Sequence, residues 1–274
     1  MGRKLVEKLL PALSRMELSE NLEATAVGYQ TFAVARDTVD SYRGDSRTLA
    51  EALRILQTAD SLPYQYAGIA LILVAASREE KGTYYRSGLD IALDWLEKAQ
   101  ALEPDLNHIN LIEPLLYIYG DRFQDARLVL DYLHHHVTVQ AYWLYRAEIV
   151  YHAQQEQYEE ALDWCKRAVQ AAEEVPERLR VRSMIGELHL RRGSMDEALR
   201  AFREAAHFAP KDAWLWHQIS WILFQQGEHE KAARANRQAL ELQPDLAEAQ
   251  ELRSVLEKTE SSEKEGLLGR LFGS

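Results

Sequence analysis

Two segments of this chain match at a constant offset of 34 residues. Gly193 to Ala198 (GSMDEA) precedes Gly227 to Ala232 (GEHEKA), and the correspondence runs on through Ala205 and Ala239 to Pro210 and Pro244. Self-similarity at such a period marks repeat arrays, in which each unit buries its apolar face only on its neighbours. Each unit reads as a helix with a small residue midway, a glycine turn, an alanine-rich helix and a proline break.

A shorter signature extends the period towards the amino end: alanine, six residues, then alanine or leucine. It appears as Ala52/Ala59, Ala92/Ala99, Ala126/Leu133, Ala161/Ala168, Ala198/Ala205 and Ala232/Ala239, with intervals of 40, 34, 35, 37 and 34 between first members. Residues seven apart share one helix face, and small ones let a neighbouring helix approach closely. Six units follow, at about 21–63, 64–104, 105–138, 139–176, 179–212 and 213–246. Ser194 with Glu197, and Thr48 with Glu51, have the spacing of capping boxes. Pro11 is expected to kink or divide a leading helix, and Pro114 interrupts the third unit unless a helix begins there. The second unit carries an insertion around Ser77 to Ser87 (REEKGTYYR), read as a longer turn or a binding loop.

These residues resemble the tetratricopeptide repeat. The small, turn, packing and terminal positions of that pattern fall on Gly186, Gly193, Ala198, Phe202, Ala205 and Pro210. In the next unit they fall on Ser220, Gly227, Ala232, Ala239 and Pro244, with Trp216 as the packing aromatic. Asn236 stands where a large apolar residue is expected, which predicts a looser joint. The resemblance implies an all-α, right-handed superhelical solenoid of about six helix-turn-helix repeats. Residues 1–20 and 247–258 would be capping helices, followed by a polar linker and short apolar tail at 259–274.

The resemblance also implies that first helices line a concave, partner-selecting groove. In the last two units this face carries Arg180, Glu187 and Arg191, then Trp214, His217, Trp221 and Phe224. Trp214, Trp221 and Phe224 lie on one side of one helix, and two readings stand: an aromatic peptide pocket, or packing beneath the carboxyl-terminal cap. The tail residues Leu267, Leu268, Leu271 and Phe272 form a second candidate contact, for a partner, a membrane or this groove itself. Some members of the family clamp an acidic chaperone tail. The matching places here carry Leu144, Glu148, Met184, Trp214 and Gln218, so that clamp is missing.

A formal charge of −11 excludes a general nucleic-acid binder and disfavours acidic ligands. One cysteine, Cys165, leaves no internal disulfide framework. No catalytic constellation or phosphate loop is present, and no cofactor or metal site is expected. His134-His135-His136 cannot converge on one ion, because consecutive helical side chains diverge by about 100°. With no apolar run reaching the roughly 20 residues that span a bilayer, the expectation is a cytoplasmic, non-catalytic scaffold or adaptor. It would bind a protein or peptide, as an assembly factor or regulator of a bacterial complex. The alternatives are a self-associating structural protein, or a peripheral membrane assembly factor that uses the tail.

Overall fold

The computed structural model describes residues 1–79, 83–136 and 141–272, with side chains as far as 259. Helices account for nearly all of it: α1 (Gly2–Leu13), α2 (Ala26–Asp40), α3 (Ser46–Leu56), α4 (Leu62–Ala76), α5 (Arg86–Leu102), α6 (Asn107–Asn110), α7 (Glu113–Tyr119), α8 (Phe123–His136), α9 (Ala141–Gln154), α10 (Tyr158–Ala171), α11 (Val175–Arg191), α12 (Met195–Phe208), α13 (Ala213–Gln225), α14 (His229–Leu242) and α15 (Ala247–Phe272). In chain order the first unit carries the helix pairs α2/α3, α4/α5 and α7/α8, with α6 as an extra turn ahead of α7 and α9 at its end, and the second unit opens with α10 and carries the pairs α11/α12 and α13/α14. The chain divides into two compact units, 1–155 and 156–274.

The alanine signature is the core of both units. Ala52, Ala92, Ala99, Ala126, Ala161, Ala168, Ala198, Ala205, Ala232 and Ala239 are all fully buried. Because such interiors are close-packed, a larger side chain at these places would have to displace a neighbouring helix. Gly186 acts in the same way: a Cβ there would lie 2.7 Å from the ring of Phe202, so glycine is what lets α11 and α12 meet. At the equivalent place in the last repeat, the Ser220 hydroxyl donates to the Ala232 carbonyl at 2.7 Å.

In the first unit α4 is buried on nearly every side, and Pro63 opens it where a missing N–H costs nothing. It packs on α2, α3 and α5, and α1 sets Leu5, Val6, Leu9 and Leu13 into the same core. Gly2 permits this contact, since a Cβ there would stand 2.5 Å from the Ser77 carbonyl oxygen. Helix α1 continues through Pro11 to Leu13. Pro114 lies in the first turn of α7, so the third repeat begins its helix there rather than breaking it.

In the second unit Cys165 is buried on α10, and α11 to α14 pack in sequence around Phe202, Leu215 and Ile222. Helix α15 lays Leu252 and Leu256 on this core. Asn236 is the reason the last joint tolerates a polar residue: its side-chain amide is buried and donates to the Ala249 carbonyl of α15 at 3.0 Å. The segment 259–265, read from sequence as a linker, is helical and continuous with α15. Leu267, Leu268, Leu271 and Phe272 fall on its last turns, and their side chains lie outside the described residues.

The helix starts differ from the capping boxes expected at Ser194 and Thr48. Ser194 makes no side-chain cap, and α3 begins earlier, where the Asp45 carboxylate accepts from the Arg47 N–H at 3.0 Å. The reciprocal box forms at Glu174 and Glu177. No described helix is long and apolar enough to cross a membrane.

The turns within repeats share one closure. Gly193 and Gly227 adopt positive φ (83° and 77°), and the next N–H bonds back to His189 and Leu223 at 2.8 and 2.9 Å. The third repeat makes the same turn without glycine: Asp121 has φ of 59°, and the Arg122 N–H bonds to the Tyr117 carbonyl at 2.8 Å. A left-handed conformation costs a non-glycine residue roughly 1–2 kcal/mol. Replacing Asp121 by glycine should therefore raise unfolding free energy by about 1 kcal/mol, measured by denaturant titration; an unchanged or lower midpoint would show that the turn is unstrained.

Candidate functional site

The first unit contains a cavity of about 200 Å³, built almost entirely by first helices of repeats. Helix α2 and the turn after it supply Arg36, Val39, Asp40, Tyr42 and Arg43. Helix α4 supplies Leu71, Val74 and Ala75, with Arg78 just beyond its end. His108 on α6, then Leu111, Leu115 and Tyr119, continue the wall, which Trp143, Arg146, Ala147 and Val150 of α9 complete. The spacings 71/74/75/78 and 143/146/147/150 are those of one helix face.

The charge in this wall is organised around Trp143 and Asp40. The guanidinium of Arg36 lies 3.6 Å from the Trp143 ring centre and that of Arg146 lies 4.6 Å from it. Such cation–π contacts strengthen where water is excluded. Arg146 also bridges from α9 to α2, with Nη1 and Nη2 donating to the Asp40 carboxylate at 2.7 and 3.3 Å. Burial opposes its charge, but Asp40 more than restores it, so Arg146 holds its proton more tightly than a free arginine. His108 is pushed the other way: burial first, then the charge of Arg36, lower its pKa and favour the neutral ring. Burial likewise raises Tyr119 above the ordinary phenol range.

The insertion after α4 reaches this cavity. Arg78 and Tyr84 face each other in a short antiparallel bridge, and Tyr84 stacks on Tyr119 with ring centres 4.1 Å apart. The insertion thus contributes Tyr84 to the cavity wall. Residues 80–82, in its middle, lie outside the described residues.

The residues singled out from sequence are distributed over the second unit. Trp214, Trp221 and Phe224 are each half-buried against its core and partly open to solvent. Trp214 meets Phe202 edge-on, with ring centres 5.7 Å apart, and Phe224 sits 5.5 Å from His229. His217 is buried rather than displayed, and burial lowers its pKa despite the opposing charge of Glu248 on α15. On α11 Arg180 and Glu187 are half-buried and Arg191 is exposed. Packing and presentation thus coexist on α13. The first-unit cavity was missed because the repeat pattern is degraded there; the signal was arginine and aromatic residues on successive first helices.

The histidine run is spent locally. His134 Nε2 lies 2.7 Å from the buried Glu148 carboxylate, while His135 and His136 bond through Nδ1 to the Asp131 and Tyr132 carbonyls of their own helix, α8. Glu148 also takes a two-pronged contact from Arg127, at 2.8 and 3.0 Å. Glu148 is sealed from solvent, but Arg127 keeps 32% of its side-chain surface and a second partner in Asp131, so losing Glu148 costs on the order of 1–3 kcal/mol, whereas apolar replacement of both partners is often neutral. Glu148→Leu should lower first-unit stability by that amount and Glu148→Leu/Arg127→Leu should recover much of it, read by thermal unfolding; equal losses in both variants would contradict this role.

Two tetratricopeptide repeat families match the chain, one over residues 143–211 and the other over residues 189–256. No curated protein matches it in sequence. Solved structures share the fold at low identity. One is the Signal Transduction ATPase with Numerous Domains protein of Pyrococcus horikoshii, which carries a tetratricopeptide repeat sensor (15% identity, TM-score 0.58, 84% of this chain and 36% of that one). A second is the Cut9–Hcn1 hetero-tetramer of the APC/C (13% identity, TM-score 0.57, 84% and 46%). A third is PilW, a type IV pilus biogenesis factor (16% identity, TM-score 0.55, 84% and 99%). The chain thus spans less than half the length of the first two.

Proposed function

We propose that this chain, which belongs to the tetratricopeptide repeat proteins, is a non-catalytic scaffold that holds a segment of another polypeptide. The observation that carries this reading is the first-unit cavity, a partly apolar recess assembled by four successive first helices. Stacked helix pairs generate extended surfaces of this kind, and they suit chain segments better than reactions. The chemistry in the wall is that of recognition: arginines held by an aromatic ring and a carboxylate, a neutral histidine and buried phenols. The lone thiol is no nucleophile, because burial, with a smaller push from Glu187, raises Cys165 to about 12. We further propose that the half-exposed face of Trp214, Trp221 and Phe224, with Arg180, Glu187 and Arg191 beside it, gives the partner a second contact. Assembly or regulation of a bacterial complex is the form of scaffolding we favour.

Photo-crosslinking tests this directly. Benzoylphenylalanine placed at Tyr84 or Trp221 of the full chain should trap discrete polypeptides in native lysate, in a saturable way that unlabelled chain competes. The same group at exposed Gln124 on α8 should not. Equal, non-saturable trapping at all three positions would contradict a scaffold with defined contact sites.

A further inference from the structure

Another recess lies in the second unit, on the second-helix side of the repeats. We infer that this groove, between α12 and α14, receives the last turns of α15 from a second copy of this chain. The inference goes beyond the scaffold reading and does not rest on it.

The groove encloses about 690 Å³, against about 200 Å³ for the first-unit cavity. Ala206 of α12 and Ala235 of α14 line its walls, and Ile219 and Leu223 of α13 lie between them. In a close-packed interior, two alanines at such places leave a hollow that larger side chains would fill. Trp216 also lines it, held by its indole N–H, which donates to the Pro210 carbonyl at 2.9 Å. At about 100° per residue, Trp216, Ile219 and Leu223 fall on the side of α13 away from Trp214, Trp221 and Phe224.

The rim is cationic. Arg203 and His207 stand on α12, Lys231 and Arg234 on α14, and no carboxylate among the described residues lines the groove. This is a local exception in a chain of net charge −11. Arg203 is exposed and pairs with no carboxylate among the described residues. Lys231 contacts Glu228 at the start of its own helix, and Arg234 lies 3.7 Å from Glu230. Exposed pairs of this kind contribute little and exchange readily for a better partner.

The occupant follows from the other end of the unit. Leu252 and Leu256 of α15 pack on the core, yet the helix continues to Phe272. At 1.5 Å per residue, 257–272 extend it by about 24 Å. A continuous helix cannot turn back onto α12 of its own chain, so the receiving groove belongs to a second copy. By spacing, Leu267, Leu268, Leu271 and Phe272 share one side of this helix. Glu257, Glu260 and Glu265 continue that side towards the core, with Lys264 among them. An apolar stripe flanked by glutamates complements an apolar floor between cationic rims, and amphipathic helices dock in grooves of this kind. The contact joins two different surfaces, so exchange of both tails closes a dimer.

Sedimentation velocity of the full chain over a range of concentrations tests this. The wild-type chain should self-associate, and added salt should weaken the association. Arg203→Glu/Lys231→Glu in the groove, and Leu268→Asp/Leu271→Asp in the tail, should each raise the dissociation constant at least about tenfold, by opposing like charges or burying an unpaired one. Lys98→Glu/Lys166→Glu, which changes the net charge equally at exposed places on α5 and α10, should not. Arg203 and Lys231 are exposed, so the groove variant should keep the wild-type unfolding curve. Mixing the two defective variants is the decisive step. One retains an intact tail and the other an intact groove, so together they should form one-to-one pairs that neither forms alone. A wild-type chain that stays monomeric would leave the groove to a foreign helix and overturn the assignment. Association that survives in the groove variant would place the tail on another surface, and a mixture that stays monomeric would deny the contact; both overturn it as well. None of these outcomes touches the scaffold reading, whose crosslinking positions, Tyr84 and Trp221, lie outside this groove.

Discussion

Everything in this protein depends on how closely its helices approach. Alanines seven residues apart on the second helices leave room for the neighbouring backbone, and each of these alanines from Ala92 to Ala239 is sealed from solvent. No single pair has a core of its own, so apolar surface is buried only by stacking. The departures from alanine follow the same logic. Gly186 yields to the Phe202 ring, and Ser220 and Asn236 bring their own hydrogen bonds into places too tight or too polar for an aliphatic chain.

Packing second helices in this way leaves first helices with one face to spare. In the first unit that face is lined by residues unsuited to a core: arginines on an indole, a bridging aspartate and a histidine kept neutral by burial. The net charge of −11 describes the whole surface and says little about such a recess. The fields within a desolvated cleft are set by the nearest groups. The second unit differs. Its half-buried aromatics are also structural, and substitution there tests packing as well as binding.

Much of the fold was legible because it is written in period and residue size. The 34-residue offset, the glycine turns and the alanine spacing predict about six repeats, and the described helices follow one another in that alternating order from α2 to α14. Helix starts were read less well, since the caps at Asp45 and Glu174 compete with equally plausible Ser and Thr sites nearby. The tail was read as broken because Thr259 to Glu265 is polar, yet polar residues with good helix propensity continue α15. The candidate site was the least legible part. Its residues are separated by up to about a hundred positions, as Asp40 and Arg146 are, and only the curvature of the repeats brings them together.

The most direct measurement is the nitrogen-15 spectrum of the indole and arginine Nε–H groups during titration with a partner peptide. The chain has six tryptophans, so Trp143 can be followed beside Trp214, Trp216 and Trp221 in one experiment. Saturable shifts of Trp143 and of the buried Arg36 Nε–H are the predicted result, whether or not the second-unit indoles also move. Shifts confined to Trp214 and Trp221, with Trp143 and Arg36 unchanged, would contradict the placement of recognition in the first unit.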